Sequence, residues 1–210
     1  KAPLRGIDGY SRLLLSEHGD RLDDEGRQFL LHIRQATQHM GALIDDLLSY
    51  SRLERRELAI APLPLAGVVE AVVAGLRQDL DAAGAQLALK VEPDLRARAD
   101  AQGMTMALRN LLDNALKFSR ASEPPRITVS ATRAQEGIQL AVHDNGVGFD
   151  MKFHDRIFSI FQRLHRAEDY PGTGIGLAIV RKAMERMGGQ VWAHSQPGEG
   201  ATFTLQWPEA

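Results

Sequence analysis

The sequence predicts an α+β protein in which an N-terminal helical hairpin is followed by a two-layer α/β sandwich. Through residues 1–58, apolar residues recur at every third or fourth position, which is the period of amphipathic helices. From residue 59 onward, helical stretches are mixed with short segments in which apolar and polar residues alternate, and this alternation is typical of a strand with one covered face. We therefore predict two domains, residues 1–58 and residues 59–210.

The hairpin is predicted from two apolar stripes separated by a polar break. The first stripe consists of Leu4, Ile7, Tyr10, Leu13 and Leu14. Residues 19–24 interrupt the pattern, and Asp24 is a candidate cap for a second, longer helix. The second stripe is wider and consists of Leu30, Leu31, Ile33, Thr37, Met40, Leu43, Ile44, Leu47, Leu48 and Ser51.

Two helices cannot bury a stripe of this width by packing against each other alone. Pairing of two hairpins in a symmetric four-helix bundle would bury it, so we predict a homodimer that forms through residues 1–58. The alternative is that the stripe packs against the second domain of the same chain.

The second domain is predicted to begin near residues 61–64, where two prolines interrupt regular structure. Periodicity then predicts three helices and six strands. The helices are 68–80, 102–118 and 175–187, and the strands are 86–91, 95–99, 126–132, 138–143, 191–193 and 202–207.

Composition excludes several classes of function. The chain has 210 residues, of which 44% are hydrophobic, which is enough for a sizeable core. The 25 basic and 27 acidic residues create no broad field for nucleic acid or an anionic membrane, so any phosphate binding has to be local. There is no cysteine, and no apolar run approaches the roughly 20 residues of a membrane span. We expect a cytoplasmic protein without nucleic-acid partners or direct membrane contact.

A polar stripe on the helix predicted over 102–118 contains Asn110, Asn114 and Lys117. Their spacing places all three on one side of the helix, opposite the apolar side. Amide carbonyl oxygens are ligands suited to Mg²⁺, and the lysine ammonium is suited to phosphate oxygens. The alternative, which the stripe taken alone favours, is an ordinary solvated helix face.

Asp144 ends a predicted strand and is followed by Gly146 and Gly148. An ionised carboxylate can accept a hydrogen bond from the exocyclic amine of adenine, and the glycines let backbone approach a flat ring closely. An Asp-Asn-Gly turn between two strands explains these residues equally well.

Three glycines, Gly172, Gly174 and Gly176, precede a strong helical pattern and so indicate an anion site. A dinucleotide fold would need a strand just before them, but residues 165–171 are polar and contain a proline. No Gly-Lys-Ser/Thr follows the glycines, so a P-loop is excluded as well.

Taken in order, these boxes resemble the catalytic and ATP-binding region of bacterial sensor histidine kinases. The N box is residues 110–118, the G1 box 144–149, the F box 157–163 and the G2 box 172–177. The resemblance covers nearly the whole chain. It is strongest to phytochrome-like and PAS-linked kinases, through residues 50–53 and 163–174.

The resemblance implies a two-layer sandwich of the histidine kinase and gyrase ATPase type, which binds ATP with Mg²⁺. Asn114 is then the metal ligand, and Arg163 is a candidate for the terminal phosphates, with a solvated loop residue as the alternative. The loop 150–171 is expected to be a mobile lid that Phe158 and Phe161 pack. The implied nucleotide-binding set is Asn110, Asn114, Lys117, Asp144, Gly146, Gly148, Arg163, Gly172, Thr173, Gly174, Gly176 and Leu177.

The segment from Lys1 to Ile7 resembles the end of an H box, whose phosphoacceptor histidine would lie three positions before Lys1. None of His18, His32 and His39 lies in that pattern, so we predict no catalytic residue within this chain. The resemblance implies a sensor domain upstream in the parent protein, and transfer of the phosphoryl group to an aspartate on a response-regulator receiver domain.

Two departures from the pattern of relatives refine the expected activity. Ala2 stands where kinases that are good phosphatases carry Thr or Asn, so phosphatase activity is doubtful. Asn110 stands where gyrase and chaperone ATPases carry a glutamate that activates water, and an amide cannot take that proton. We therefore expect transfer to a protein nucleophile. The alternative is a catalytically silent module for nucleotide binding, dimerisation and signalling.

Overall fold

The computed structural model describes residues 1–135, 137–166 and 169–207. It contains six α-helices and seven strands in that part of the chain. In chain order they are α1 (Ala2–His18), α2 (Asp24–Arg55), β1 (Ala61–Pro64), α3 (Leu65–Gly75), α4 (Arg77–Ala82), β2 (Gln86–Val91), β3 (Arg96–Ala99), α5 (Ala101–Ser119), β4 (Arg126–Ala134), β5 (Gly137–Asp144), α6 (Gly176–Arg186), β6 (Gln190–Gln196) and β7 (Gly200–Trp207).

The predicted hairpin is confirmed, with α1 and α2 joined by a short 3₁₀ turn at Gly19–Arg21. The prediction that Asp24 caps the second helix is wrong by one residue. Asp23 has extended backbone, and its carboxylate accepts a hydrogen bond of 2.8 Å from the N–H of Gly26, so Asp23 is the cap and Asp24 is the first helical residue.

The hairpin leaves much of its apolar surface uncovered. The exposed fractions of Tyr10 and Phe29 are 73% and 57%. Other large apolar side chains that are exposed on α1 and α2 are Ile7, Leu13, Leu14, Leu31, Ile33, Met40, Leu47 and Leu48. An apolar surface of this extent calls for a partner.

The sandwich packs a helical layer on a five-stranded sheet, as predicted, and β1 and β3 form a separate two-stranded sheet. Five strands form the sheet in the order β2-β4-β5-β7-β6, in which β2 is parallel to β4 and the other pairs are antiparallel. Alternate strand residues such as Val129, Leu140 and Leu205 are buried on one face, together with the inner sides of α5 and α6. The opposite face carries polar residues such as Thr128 and His143. The site described below lies at the end of the sheet where β5 finishes.

Two predictions about the start of this domain need correction. The helix predicted over 68–80 is two helices, because the backbone leaves helical geometry at the buried Leu76 (φ −109°, ψ 3°). The proline segment 61–64 is more than a boundary, since it forms the edge strand β1 that pairs with β3. The strand predicted from residue 95 begins at Arg96.

The C-terminal end of α2 packs along α6. Leu53 is 3% exposed and belongs to the core of the sandwich. The Arg186 guanidinium donates to the carbonyl oxygens of Leu53 and Arg56, the latter at 2.7 Å, and Lys182 forms an ion pair with Glu54 at 3.1 Å. The hairpin is therefore fixed to the sandwich at this end, and the exact domain boundary at residue 58 stays a prediction. Within the described ranges, no helix combines the length and apolarity that crossing a membrane requires.

Candidate functional site

A cavity of about 390 Å³ lies between the end of β5, the C-terminal half of α5 and the loop before α6. All of the predicted site residues except Gly146 line this cavity. They are Asn110, Asn114, Lys117, Asp144, Gly148, Arg163, Gly172, Thr173, Gly174, Gly176 and Leu177. The four sequence boxes therefore meet at one place, although up to 67 positions separate their first and last members (177 − 110).

Asp144 is the last residue of β5, and it is 3% exposed. Burial raises the pKa of this carboxyl to about 6, although hydrogen bonds from the N–H groups of Gly146 and Ala201 oppose the rise. The interpretation of residues 144–146 as a turn between consecutive strands is wrong, because the next strand along the chain begins at Gln190. The carboxylate lies in the cavity wall, where it can accept a hydrogen bond from a ligand.

The two glycines after Asp144 are required by close backbone packing. A Cβ atom at Gly146 would lie 2.5 Å from the carbonyl oxygen of Phe118 and 2.8 Å from the Asp144 carboxylate. Gly148 has a φ of +60°, and a Cβ atom there would overlap the carbonyl oxygen of Gln196. Gly146 thus lies behind Asp144 and outside the cavity wall, whereas Gly148 is part of the wall.

Asn145 connects the G1 box to the loop after α5. Its side-chain amide donates to the carbonyl oxygen of Pro124 at 3.0 Å, and its side-chain oxygen accepts from the N–H of Arg126 at 2.7 Å. The hydroxyl of Ser122 donates to the backbone carbonyl of Asn145 at 2.8 Å. These bonds hold the end of β5, and hence Asp144, against the end of α5.

The polar stripe of α5 faces the cavity at the point where α6 begins. The Asn110 amide nitrogen donates to the carbonyl oxygen of Met106 at 2.8 Å, which leaves the amide oxygen free to accept or to bind a cation. A Cβ atom at Gly176 would lie 2.8 Å from that oxygen, so glycine at this position lets the Asn110 side chain keep the orientation seen here. Asn110, Asn114 and Lys117 are half-buried, which differs from an ordinary solvated face.

Few side chains that could bind a divalent cation line this end of the cavity. The neighbouring donors are the amides of Asn110 and Asn114 and the carboxylate of Asp113. Among the described residues, no group of three or more His, Cys, Asp or Glu side chains could hold a metal ion by itself. Mg²⁺ keeps several waters and commonly binds through substrate phosphates, so this weak set of protein ligands suits a metal that arrives with a polyphosphate.

Two cations lie together in the cavity wall. Burial and, to a smaller extent, the nearby Arg163 guanidinium together lower the pKa of Lys117 to about 8, while Asp113 acts in the opposite direction. The Lys117 ammonium lies 4.3 Å from the centre of the Phe118 ring, and Arg163 donates to the carbonyl oxygen of Tyr170 at 2.8 Å. Two adjacent cations in a partly buried cavity form a place where an anion is stabilised.

The glycine loop lies directly before α6, which begins at Gly176. Gly174 has a φ of +74°, and a Cβ atom there would lie 2.8 Å from the carbonyl oxygen of Gln162. The Thr173 hydroxyl accepts a hydrogen bond of 3.3 Å from the N–H of Ile175 and donates to the Asp46 carboxylate. Gly172 and Gly174 therefore shape a loop in front of a helix N-terminus, which is a favourable place for an anion.

The predicted lid is anchored at its first half. Ile157 and Phe158 are buried, and the Phe158 ring contacts Phe203 edge-on with 6.4 Å between ring centres. The prediction that Phe161 packs the lid is wrong. It has a φ of +65° and is 57% exposed, because this turn brings its backbone, instead of its ring, close to Gly174.

The second half of the loop contacts the end of α5 through aromatic rings. Phe118, His165 and Tyr170 lie with their ring centres 5.2 to 5.3 Å apart. Residues 167 and 168 of this loop lie outside the described residues. Mobility of the lid stays a prediction.

Sequence reasoning missed several contributions to the cavity. Ala42 and Asp46 reach it from α2, and Ala201 and Phe203 reach it from β7. No local pattern marks these residues, because their position depends on how the hairpin and the last strand pack. The Asn-Gly pair at 145–146 was the available signal for the Asn145 hydrogen bonds.

Two family models together match most of the chain. The model described as "Histidine kinase-, DNA gyrase B-, and HSP90-like ATPase" matches residues 99–210. The model described as "His Kinase A (phospho-acceptor) domain" matches residues 1–56. The matched ranges contain the sandwich residues of the cavity and the hairpin.

Cyanobacterial phytochrome A of Nostoc sp. is 36% identical over 206 residues, which is 98% of this chain and 26% of that protein. Full-length ShkA in complex with AMPPNP is similar in structure, with a TM-score of 0.73, 30% identity, and coverage of 100% of this chain and 44% of that one. The histidine kinase ThkA in complex with the response regulator protein TrrA has a TM-score of 0.72, and at 19% identity over 100% of this chain and 59% of that one it supports the fold alone. This chain therefore spans about a quarter of the length of this phytochrome. Its hairpin and its ATPase-like domain both match family models, and the chain belongs to the sensor histidine kinase family.

Proposed function

We propose that this chain is the kinase core of a two-component sensor, which binds Mg²⁺-ATP in the described cavity and phosphorylates a histidine just upstream of Lys1. One observation carries the proposal. A single cavity brings together a buried acid, two amides, two cations and a glycine loop at a helix N-terminus. The acid suits a purine, the amides suit a metal ion, and the cations and the glycine loop suit a polyphosphate.

In this proposal, Asp144 recognises adenine. Its carboxylate accepts a hydrogen bond from the exocyclic amine, and guanine presents a carbonyl oxygen at the corresponding position, which would repel it. Because Asp144 is almost fully buried, an unfavourable contact with guanine has no water to relieve it. We therefore expect ATP to bind more tightly than GTP.

Asn114 would hold Mg²⁺ with support from Asn110, while Lys117, Arg163 and the backbone amides of residues 172–176 would hold the phosphates. The metal ion would neutralise charge on the polyphosphate. The residues of this chain contribute mainly by fixing the triphosphate in place, which is the main requirement of phosphoryl transfer. Asn110 supplies no base for water, and this favours a protein nucleophile over hydrolysis.

A second copy of the chain is the proposed occupant of the exposed apolar stripe on α1 and α2. The hairpin contacts its own sandwich near Asp46, Leu53 and Glu54, but this contact leaves Tyr10 and Phe29 uncovered. A four-helix bundle of two hairpins would cover them. The acceptor in the next step is proposed to be an aspartate of a receiver domain, on the basis of the sensor histidine kinase family to which the chain belongs.

The proposal is tested with a protein that is extended upstream to include the histidine three positions before Lys1. With ATP labelled at the γ-phosphate, the extended protein is expected to become labelled and to pass the label to a receiver domain. The present chain should bind ATP and remain unlabelled. An extended protein that binds ATP but acquires no label would support the silent nucleotide-binding module instead.

The affinity for ATP is expected to be highest between about pH 6 and about pH 8. Below this range Asp144 becomes protonated and loses its charge-assisted bond to the amine, and above it Lys117 loses the proton that attracts phosphate. Beyond each limit the affinity should fall by up to about tenfold per pH unit, since binding then requires loss or uptake of one proton. Calorimetric titration with Mg²⁺-ATP across pH 5 to 9 measures this fall in affinity, in which a tenfold change corresponds to about 1.4 kcal/mol.

Two variants show which residue sets each pH limit of this profile. The nucleotide itself also titrates, but its titration affects the wild-type chain and the variants equally. Asp144→Asn should weaken binding by about 1.5 to 3 kcal/mol at neutral pH and remove the acidic limit. Lys117→Arg should remove the alkaline limit, because the guanidinium does not titrate in this range. Affinity that rises below pH 6 would show that the protonated acid donates to the base, which contradicts the assigned role.

A further inference from the structure

Asp46 is an acid that α2 contributes to the wall of the nucleotide cavity. Its half-buried carboxylate accepts a hydrogen bond from the hydroxyl of Thr173, in the glycine loop before α6. Ala42, one helical turn earlier, lines the same cavity. The hairpin therefore closes one side of a cavity whose other walls belong to the sandwich.

The charge of Asp46 is not neutralised by a neighbouring cation. Asp45 pairs with Lys1 and Glu54 pairs with Lys182, but none of the ion pairs among the described residues includes Asp46. The Asp46 carboxylate thus directs a net negative charge at the loop that would hold phosphates. In a partly buried site, such like charges repel more strongly than they do in water.

We propose that Asp46 is a specificity-determining residue, which makes the cavity discriminate among adenine nucleotides by the charge of their phosphates. While Asp46 accepts the hydrogen bond from Thr173, its carboxylate repels a polyphosphate in the glycine loop. The same hydrogen bond prevents the Thr173 hydroxyl from donating to a phosphate oxygen. Full binding of a triphosphate then requires the Asp46 contact to open. This inference rests on the proposed function, because it needs the glycine loop to hold phosphates.

Thermodynamic linkage gives the contact a second consequence. If the Asp46–Thr173 contact weakens phosphate binding, a bound triphosphate weakens the contact by the same factor. The opening would be confined to the Asp46 end of the interface, since Leu53, the Lys182–Glu54 ion pair and the Arg186 hydrogen bonds lie two to three helical turns farther along α2. The hairpin would thereby sense the number of phosphates on the bound nucleotide.

The test is calorimetric titration of the wild-type chain and Asp46→Asn with adenosine, ADP and ATP, each with Mg²⁺. Asp46→Asn should leave the adenosine affinity unchanged, raise the ADP affinity, and raise the ATP affinity most, by about fivefold or more. The gain should shrink as salt concentration rises, because screening weakens the repulsion that the substitution removes.

Asp45→Asn is the matched control, because it removes the same charge from the adjacent residue, which pairs with Lys1 and does not line the cavity. Glu54→Gln removes a different contact between hairpin and sandwich. Neither variant should produce a gain that grows with the number of phosphates. An equal gain for all three ligands, the same gain in Glu54→Gln, or a loss of Mg²⁺-ATP affinity in Asp46→Asn would overturn the inference. Absence of nucleotide binding by the wild-type chain would instead overturn the proposed function.

Discussion

Replacement of Asn114 by alanine is expected to abolish phosphoryl transfer to the upstream histidine in the extended protein. Asn114 lies on the cavity-facing side of α5, one turn after Asn110, and it offers an amide oxygen where the other available donors are few. Without that oxygen, Mg²⁺ would no longer be held in a fixed position relative to the triphosphate. We expect the rate of labelling to fall by about 10³-fold or more, which is the effect of removing one preorganised group that stabilises developing charge.

The same substitution should remove the effect of Mg²⁺ on triphosphate binding, which titrations with and without the metal measure. Asp113→Asn is the control, because it changes the adjacent side chain, which pairs with Arg109 and also lines the cavity. If Asn114→Ala retained the metal effect and Asp113→Asn lost it, the metal ligand would be Asp113. Adenosine binding should be unchanged in both variants, and this excludes misfolding as the cause.

The parts of this site that the sequence predicted are those encoded by short-range patterns. Asn110, Asn114 and Lys117 follow the three- and four-residue spacing of a helix, so their common face could be inferred before the structure was known. Asp144 follows an alternating run, which placed it at a strand end. The order of the four boxes predicted that these segments assemble into one site, and residues of all four boxes line the same cavity.

The parts that were missed depend on contacts between distant segments. Asp46 reaches the cavity only because α2 packs along α6. The break at Leu76 was hidden because the apolar pattern continues through this buried residue, whose backbone is not helical. Phe161 was placed incorrectly because aromatic character alone does not reveal a positive φ.

Gly200 was also missed, and its replacement by alanine is expected to be the most damaging single change to stability. Gly200 begins β7 and has a φ of +93°, and a Cβ atom there would overlap the backbone carbonyl of Asp144 on the paired strand β5. Since backbone atoms on both sides would have to move, we expect the free energy of unfolding to fall by about 3 kcal/mol or more, measured by urea denaturation. Asp144 would move with its strand, so ATP binding should be lost together with stability.

Gly198→Ala separates the two causes of this effect. Gly198 lies in the same turn between β6 and β7 and has a φ of +82°, but nothing lies within 4 Å of a Cβ atom there. Its replacement should cost only the conformational penalty of a positive φ, about 1 to 2 kcal/mol, and should leave ATP affinity unchanged. If the two variants were equally destabilised and bound ATP equally well, the approach of Gly200 to Asp144 would have no part in positioning the acid. Affinity should be measured under conditions where both variants are folded. A large loss of affinity confined to Gly200→Ala would then show that the glycine at the start of β7 sets the position of the Asp144 carboxylate, which is proposed to bind adenine. The two residues are more than 50 positions apart in sequence (200 − 144).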